Sequence, residues 1–278
     1  MARIVGGITT SHVPAIGGAI AKRRQNEPYW KPFFDGFIPV RQWLAEVKPD
    51  VAVVFYNDHG LNFFLDKMPT FAVGAAPEYR NADEGWGIPT LSPLRGHPEL
   101  SWHVIESLVD DEFDPVSCQE MLVDHAVSLP MALLWPDQPC PLRVIPVCIN
   151  TVQAPLPSAK RCYKLGQAVA RAVQSWPGDD KVLMIGTGGL SHQLDGERAG
   201  FINKPFDLEF MRSLTENPTW ATQFDTHQIV EKAGTQGVEL LMWLATRAAL
   251  PGTVAQLHTN YHIPISNTAS GLMLMECR

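Results

Sequence analysis

The sequence predicts a three-layer α/β/α domain around a central sheet that is mostly parallel or mixed. Short apolar runs such as 51–56 and 182–185 have the length and β-branched content of buried strands. Amphipathic segments with helical spacing, such as 158–176, lie between these runs. Turns rich in glycine and polar residues follow several runs directly. Because strands alternate with helices, we expect helices to cover the sheet.

The elements can be placed in order along the chain. Strands are predicted at 4–8, 51–56, 70–73, 144–149, 182–185, 260–265 and 272–275, and helices at 38–47, 98–109, 128–134, 158–176, 206–214 and 238–250. Residues 15–36 are expected to form a long loop or a short irregular helix, and 75–97 a structured insertion. Since no linker, internal repeat or low-complexity tail interrupts the chain, we predict a single domain over 1–278.

Composition excludes several classes of protein. The net charge is −7 and the only dense basic cluster is at 22–24, which argues against binding to nucleic acid. The five cysteines are scattered without C-x-x-C spacing, as expected for reduced thiols in the cytoplasm. The N-terminus lacks a signal pattern, and no apolar run approaches the roughly 18 residues of a membrane helix. We therefore expect a cytoplasmic protein with no membrane contact.

A glycine-rich turn at 186–192 follows the strand predicted at 182–185. Its three glycines let the backbone turn sharply and carry Ser191 and His192 to the edge of the sheet, where open α/β folds bind ligands. A histidine there can transfer protons near neutral pH. The alternative is that Ser191 caps a helix beside a surface histidine.

Two further histidines occupy equivalent positions. His12, His59 and His192 each follow a predicted strand within one to seven residues. If these strands are neighbours, the three imidazoles converge at one edge of the sheet. Neutral imidazole is a common ligand of divalent metals, and Asp58 is the candidate for orienting His59.

Glu239 is the candidate for a third metal ligand because apolar residues surround it in a predicted helix. A buried glutamate is costly unless it is paired or bound to a cation. Alternatively, it lies on the wet side of the helix near Lys232 or Arg247. Two histidines and one carboxylate are typical of non-haem Fe(II) oxygenases. Zinc is less favoured because no fourth ligand lies at short spacing, whereas manganese stays open.

Seven segments together carry a resemblance to a known family. They are 7–14 (GITTSHVP), 56–59 (YNDH), 82–87 (ADEGWG), 123–125 (VDH), 186–194 (GTGGLSHQL), 237–240 (GVEL) and 261–269 (YHIPISNTA). In these segments, which span nearly the whole chain in order, the sequence resembles the large (β) subunits of protocatechuate 4,5-dioxygenases. These subunits belong to the class III extradiol ring-cleaving dioxygenases.

The resemblance assigns expected roles to five residues. His12, His59 and Glu239 stand where the family binds Fe(II). His192 stands where the family keeps its acid/base, and His125 where a second histidine faces the substrate. The single domain is accordingly expected to be catalytic.

The resemblance also implies a substrate and a partner. Ser266 and Asn267 stand where the family holds the substrate carboxylate, although a simple turn with an Asx cap would also explain them. The implied reaction is cleavage of protocatechuate at the 4,5 bond by O₂, giving 4-carboxy-2-hydroxymuconate semialdehyde. Single-chain gallate dioxygenases carry a long C-terminal extension, whereas this chain stops after its last predicted strand. We therefore expect a small α subunit and an α₂β₂ heterotetramer.

Three alternatives remain at this point. The same site can act on gallate or another substituted catechol. A non-catalytic relative can keep the fold as a binding module, although such a module has no need of the full set His12, His59, Glu239 and His192. A zinc hydrolase is the third alternative.

Overall fold

The computed structural model of the protein describes residues 1–85, 88, 90–263 and 267–278. Its strands are β1 (Arg3–Thr10), β2 (Val51–Tyr56), β3 (Phe71–Gly74), β4 (Glu78–Asn81), β5 (Leu94–Arg95), β6 (Val116–Cys118), β7 (Leu122–Val123), β8 (Arg143–Ile149), β9 (Lys181–Thr187), β10 (Val254–His262) and β11 (Ser270–Cys277). Eight of them form one sheet in the order β10-β11-β1-β9-β2-β8-β3-β6, and β5-β4-β7 form a small second sheet.

Helices connect these strands. They are α1 (Pro14–Ala21), α2 (Lys31–Asp35), α3 (Ile38–Val47), α4 (Pro98–Asp110), α5 (His125–Leu134), α6 (Ala159–Ser175), α7 (Lys204–Glu216), α8 (Thr226–Ala233) and α9 (Leu240–Ala248). Two 3₁₀ turns, Trp220–Gln223 and Gln236–Glu239, precede α8 and α9. Of the described residues, no helix has the length and apolar character needed to cross a membrane.

The large sheet is mixed, with a parallel centre. Strands β1, β9, β2 and β8 run parallel to their neighbours in that order, whereas β11 pairs antiparallel with β1 and β3 with β8. The carboxyl ends of the four parallel strands therefore lie along one edge. Such an edge is where open α/β sheets bind ligands.

Both faces of the sheet are buried. In β2, Val53 and Phe55 belong to one hydrophobic core, and Val54 and Tyr56 to a second core. Because alternate residues of a strand point to opposite faces, these two cores lie on opposite sides of the sheet. Helices α4, α6, α7 and α9 contribute to the first core, and α1, α2, α3 and α5 to the second. The predicted three-layer α/β/α architecture is confirmed.

Two local differences from the sequence-based prediction affect the site. Residues 14–21 form the regular helix α1, which begins at Pro14, whereas a long loop or a short irregular helix was expected for 15–36; proline is favoured in a first helical turn. The helix predicted at 238–250 begins instead as the 3₁₀ turn Gln236–Glu239. Glu239 therefore lies at the junction with α9 and not within a regular helix.

Candidate metal centre

Three neighbouring strands deliver the site residues. His12 follows β1 by two residues, His192 follows β9 by five, and His59 follows β2 by three. Because the sheet order is β1-β9-β2, these three loops lie side by side at the carboxyl edge. The structure thus brings the three histidines together, as their positions after strands indicated.

Glu239 lies at the centre of the three imidazoles. Its Oε2 is 3.4 Å from His12 Nε2 and 3.8 Å from His192 Nε2, and its Oε1 is 3.6 Å from His59 Nε2. The backbone N–H of Gly189 donates a hydrogen bond of 2.6 Å to Oε2. The carboxylate is buried, with 8% of its side chain exposed, so the wet-side alternative is wrong.

Arg247, one of the two cations named in that alternative, makes other contacts. Arg247 is buried and donates hydrogen bonds to the backbone carbonyls of Leu214, Leu250 and Gly252. Those carbonyls satisfy the guanidinium without a carboxylate. The charge of Glu239 is therefore balanced by histidines or by a cation.

The donor set fits a divalent metal ion. His12 Nε2 is buried and makes no hydrogen bond within the described residues, although Glu239 is close by. Ligand atoms about 2.1 Å from one ion and at right angles to each other lie about 3 Å apart. The separations of 3.4 Å and 3.6 Å from Glu239 to His12 and His59 are close to this value. A small movement would place the two imidazoles and the carboxylate around one ion.

A second possible trio of ligands is His12, His59 and His125. Each of His12, His59 and His125 offers a nitrogen within 4.8 Å of the nitrogens of the other two. Glu239 lies 3.4 Å and 3.6 Å from His12 and His59, and an anionic ligand neutralises a cation in a buried site where a third imidazole does not. The charge balance therefore favours Glu239 over His125 as the third ligand.

The protonation equilibria suit a metal site. Burial tends to raise the pKa of Glu239, but the electrostatic attraction of His12 and the close imidazole nitrogens of His12 and His59 outweigh it and hold that pKa well below its ordinary value. Burial lowers the pKa of His12, which Glu239 offsets only in part. Burial also acts to lower the pKa of His59, but Asp124 and Glu239 raise it to about 10. A cation in the site would replace the His59 proton.

Outer contacts orient the two imidazoles. His12 Nδ1 lies 3.2 Å from the hydroxyl of Thr187, at the end of β9. His59 donates both its backbone N–H and its Nδ1–H to Asp124 Oδ2, each at 2.8 Å. Both rings therefore turn Nε2 toward Glu239. Carboxylate partners of this kind fix the orientation of metal-binding histidines.

The prediction that Asp58 orients His59 is wrong. The carboxylate of Asp58 instead accepts hydrogen bonds from the backbone N–H groups of residues 60–63 and from the side chain of Asn62. It therefore organises the loop after β2. Asp124, which lies 65 positions from His59, has the orienting role, and sequence proximity gave no sign of this contact.

His125 is the first residue of α5 and lies against His59. Their ring centroids are 4.1 Å apart with the planes inclined by 30°. Glu84 accepts hydrogen bonds of 2.7 Å from both the backbone N–H and Nδ1 of His125. The local sequence around Glu84 predicted no role for this residue. The only available signal was that Glu84 lies in one of the segments that carry the resemblance.

A buried network supports His192. His192 Nδ1–H donates to the carbonyl of Leu190 at 2.9 Å, so Nε2 faces Glu239. Ser191 donates its N–H and its hydroxyl to Asp207, at 2.9 Å and 2.6 Å. The hydroxyl of Tyr261 donates to the same carboxylate at 2.9 Å. Ser191 and His192 are both buried, so the alternative of a helix cap beside a surface histidine is wrong.

A cavity of about 410 Å³ opens over these residues. Its lining includes His12, Asn57, His59, His125, Thr151, Val152, Gly189, His192, Leu194, Gln236, Glu239 and Thr268. Asn267 is exposed and is not among the lining residues that the structure describes, whereas its neighbour Thr268 is. Ser266, the other residue predicted to hold a carboxylate, lies outside the described residues.

The fold and the site together define an α/β domain with a histidine–carboxylate cluster at the edge of its sheet. The family model described as the catalytic LigB subunit of aromatic ring-opening dioxygenase matches residues 6–271. The chain therefore belongs to this family of class III extradiol dioxygenases.

Individual relatives agree with this assignment. A gallate dioxygenase of Pseudomonas putida is 39% identical over 198 residues, which cover 71% of this chain and 58% of the relative. A 2,3-dihydroxyphenylpropionate/2,3-dihydroxicinnamic acid 1,2-dioxygenase of Photorhabdus laumondii is 33% identical over 76% of this chain and 63% of the relative. The chain thus spans less than two thirds of the length of either relative.

One solved structure shares the fold. The uncharacterized protein JW3007 of Escherichia coli K12 superimposes with a TM-score of 0.55 over 97% of this chain and 99% of that chain. The two sequences are 14% identical, so the similarity concerns the fold alone.

Proposed function

We propose that the protein is an Fe(II)-dependent extradiol dioxygenase that cleaves protocatechuate at the 4,5 bond with O₂, giving 4-carboxy-2-hydroxymuconate semialdehyde. The observation that carries this proposal is the cluster of His12, His59 and Glu239 with His192 3.8 Å from the same carboxylate. Family membership supports the same chemistry.

The donor set fits Fe(II) and is not that of a thiolate zinc site. Two imidazoles and one carboxylate on one side of an ion leave the opposite positions open. No cysteine is among the described residues that line the cavity, so a closed thiolate zinc site has no ligands here. Bound Fe(II) would supply a Lewis acid that acidifies the catechol hydroxyl and brings it close to O₂.

His192 would transfer the protons. Because its Nδ1–H donates to the carbonyl of Leu190, its Nε2 is the basic atom that faces the site. This nitrogen would accept a proton from the substrate hydroxyl and return one while the O–O bond breaks. His125 stacks on His59 and lines the cavity. It would contact the substrate ring or its oxygens.

Protocatechuate and gallate are the two candidate substrates. We propose protocatechuate, with Ser266 and Asn267 as donors to its carboxylate. The name of the 39% identical relative supports gallate as the second candidate. Both acids are catechols with one carboxylate, and gallate has one more ring hydroxyl, so the same cluster can act on either.

A small partner subunit belongs to the proposal. The family description calls the matched chain a catalytic subunit, which implies a further chain in some members. Val152 and Leu194 line the cavity and expose more than half of their surface. Exposed apolar side chains at the opening of a cavity favour a covering protein surface. We propose a small α subunit in an α₂β₂ heterotetramer, which the mass of the complex after co-expression would test.

Oxygen uptake tests the function directly. The full chain, reconstituted anaerobically with Fe(II), is mixed with protocatechuate, gallate and unsubstituted catechol, with and without the small partner. We expect O₂ consumption with a carboxylated catechol and the yellow absorbance of a ring-opened semialdehyde. A zinc-loaded sample serves as the control and should consume no O₂. An iron-loaded protein that is inactive with every catechol, with or without the partner, would refute the proposal.

A further inference from the structure

Two carboxylates hold two stacked imidazoles in the same way. Asp124 accepts the backbone N–H and the Nδ1–H of His59. Glu84 accepts the backbone N–H and the Nδ1–H of His125. All four hydrogen bonds are 2.7–2.8 Å long, which is the range of charge-assisted bonds. The role of Asp124 follows from its contact with His59, whereas Glu84 contacts His125, for which the charge balance favours a role other than metal ligation.

The pairing of β4 with β7 in the small sheet brings Glu84 close to His125. Strands β4 and β7 run parallel, with Asn81 opposite Val123. The N–H of Ala82 continues the ladder by donating to the carbonyl of Val123 at 2.8 Å. Since the two strands end together, Glu84 and His125 leave the sheet at neighbouring positions. Both side chains are buried, with 8% of Glu84 and 2% of His125 exposed.

Glu84 does not itself face the substrate cavity. His125 is among the residues that line the 410 Å³ cavity, whereas Glu84 is not among its described lining residues. Glu84 lies instead against a separate cavity of about 160 Å³. Within the described residues, the hydrogen bonds of Glu84 to His125 connect it to this cavity.

The contact determines which ring nitrogen of His125 carries the proton. A carboxylate accepts hydrogen bonds and cannot donate them, so Nδ1 must carry the proton that the carboxylate accepts. In a neutral ring, Nε2 is then a hydrogen-bond acceptor. One nitrogen of His125 lies within 4.8 Å of a nitrogen of His12 and a nitrogen of His59, so the ring lies beside the candidate metal ligands. An acceptor in this place suits a hydroxyl of the substrate.

We propose that Glu84 is a positioning residue for His125: it keeps the proton on Nδ1 and so presents Nε2 to a hydroxyl of the bound catechol. This inference rests on the proposed function, because the role of His125 depends on a catecholic substrate. A residue outside the cavity would therefore determine whether His125 Nε2 accepts or donates a hydrogen bond in its contact with the substrate. Without Glu84, the proton can move to Nε2, and an N–H would then face the hydroxyl.

Histidine NMR tests the tautomer without any assay of activity. The full chain is labelled with ¹⁵N and loaded with diamagnetic zinc, and the spectrum is recorded at alkaline pH. The His125→Ala variant identifies the His125 signals among the nine histidines. We expect an Nδ1-protonated ring in the wild type and a shift toward the Nε2-protonated form in Glu84→Gln. An Nε2-protonated ring in the wild type, or an unchanged tautomer in Glu84→Gln, would overturn the inference.

Kinetics of the iron-loaded protein test the consequence for the reaction. Glutamine keeps the size of the side chain but accepts through only one oxygen, so Glu84→Gln is the main variant and Glu84→Ala the second. We expect full metal content and a kcat/KM lowered by about 10-fold, as for the loss of one hydrogen bond to the substrate. Glu106→Gln, on an exposed face of α4, is the matched control and should behave as the wild type.

A double-mutant cycle distinguishes positioning from a general structural role. If Glu84 acts only through His125, Glu84→Gln should cause no further loss in the His125→Ala background. Equal losses in both backgrounds would contradict the inference. An inactive wild type would refute the proposed function alone, since the NMR result on the zinc-loaded chain would still decide the role of Glu84.

Discussion

The imidazoles of His59 and His125 stack at 4.1 Å between ring centroids, yet different carboxylates hold them, Asp124 for His59 and Glu84 for His125. The two rings are fixed independently although they touch. One can therefore serve the metal and the other the substrate without sharing an orienting group. Single substitutions at the two carboxylates should separate metal binding from turnover.

Asp124→Asn should weaken metal binding. Asparagine keeps the size of the side chain but carries no charge, so it holds the Nδ1–H of His59 less strongly. We expect metal affinity to fall by about 10–100-fold, as is usual for outer-shell partners of metal ligands. Competition with a chromophoric chelator measures the change. Asp114→Asn, at an exposed position, is the control, and equal affinity in the two variants would contradict the prediction.

His192→Ala should keep its iron and lose turnover. His192 Nε2 lies 3.8 Å from Glu239 Oε2 in the lining of the cavity, a position from which it would exchange protons with the substrate. General acid–base catalysis contributes about 10²–10⁴-fold, so kcat should fall by that factor. Elemental analysis and oxygen uptake measure the two quantities. His227→Ala, on an exposed face of α8, should match the wild type. Normal turnover by iron-loaded His192→Ala would remove the assignment.

Gly188→Ala should damage the metal site directly. Gly188 has a φ of +150°, and an added Cβ would lie 2.8 Å from Glu239 Cβ and 2.9 Å from the Glu239 carbonyl oxygen. Such contacts are too short, so either the glycine turn or Glu239 must move. We expect a lower metal content and a lower melting temperature.

The matched control for this substitution is Gly18→Ala in α1. A Cβ at Gly18 would meet nothing within 4 Å, and no positive φ occurs there. Alanine also favours helix over glycine. Gly18→Ala should therefore keep both metal content and melting temperature. A Gly188→Ala protein with normal metal content would show that the close packing of the turn on Glu239 is not required.

The stability of the protein should depend on pH through Asp207. Burial raises the pKa of Asp207 to about 6, against the opposing hydrogen bonds from Ser191 and Tyr261. Because the folded pKa exceeds that of the unfolded chain, the stabilising contribution of this carboxyl is present below about pH 4 and is lost as the pH rises through about 6. The shift of about two pKa units corresponds to about 3 kcal/mol.

Comparison with Asp207→Asn isolates this contribution. The free energy of unfolding of the wild type, relative to that of Asp207→Asn, should decrease by about 3 kcal/mol between about pH 4 and pH 7. Urea unfolding at several pH values measures the difference, and effects of other groups cancel when the two proteins are compared. A difference that stays constant or increases with pH would contradict the prediction.

Several parts of the fold and the site were predictable because their signals are local. Apolar runs such as Val51–Tyr56 have the pattern of buried strands wherever they occur in a chain. Histidines placed just after such strands indicated the edge of the sheet where His12, His59 and His192 meet. The isolated charge of Glu239 in an apolar segment indicated a buried partner. Each of these inferences needed only neighbouring residues.

Other parts depended on contacts between distant residues. Asp124 and His59 are 65 positions apart, and Glu84 and His125 are 41 apart. Asp58 was the natural candidate by proximity, but its carboxylate is used by the backbone of its own loop. Local patterns cannot show which of two nearby carboxylates meets an imidazole, because that depends on which strands pair.

The sequence by itself determined the layered architecture, the positions of most strands and helices, and the residues that gather at the carboxyl edge of the sheet. Hydrophobic periodicity and turn chemistry act over a few residues, so they can be read without coordinates. Tertiary structure alone decided the strand order, the 3₁₀ turn that carries Glu239, and the carboxylate that each imidazole meets. These features arise from packing between segments far apart in the chain, where burial requires every polar group to find a partner.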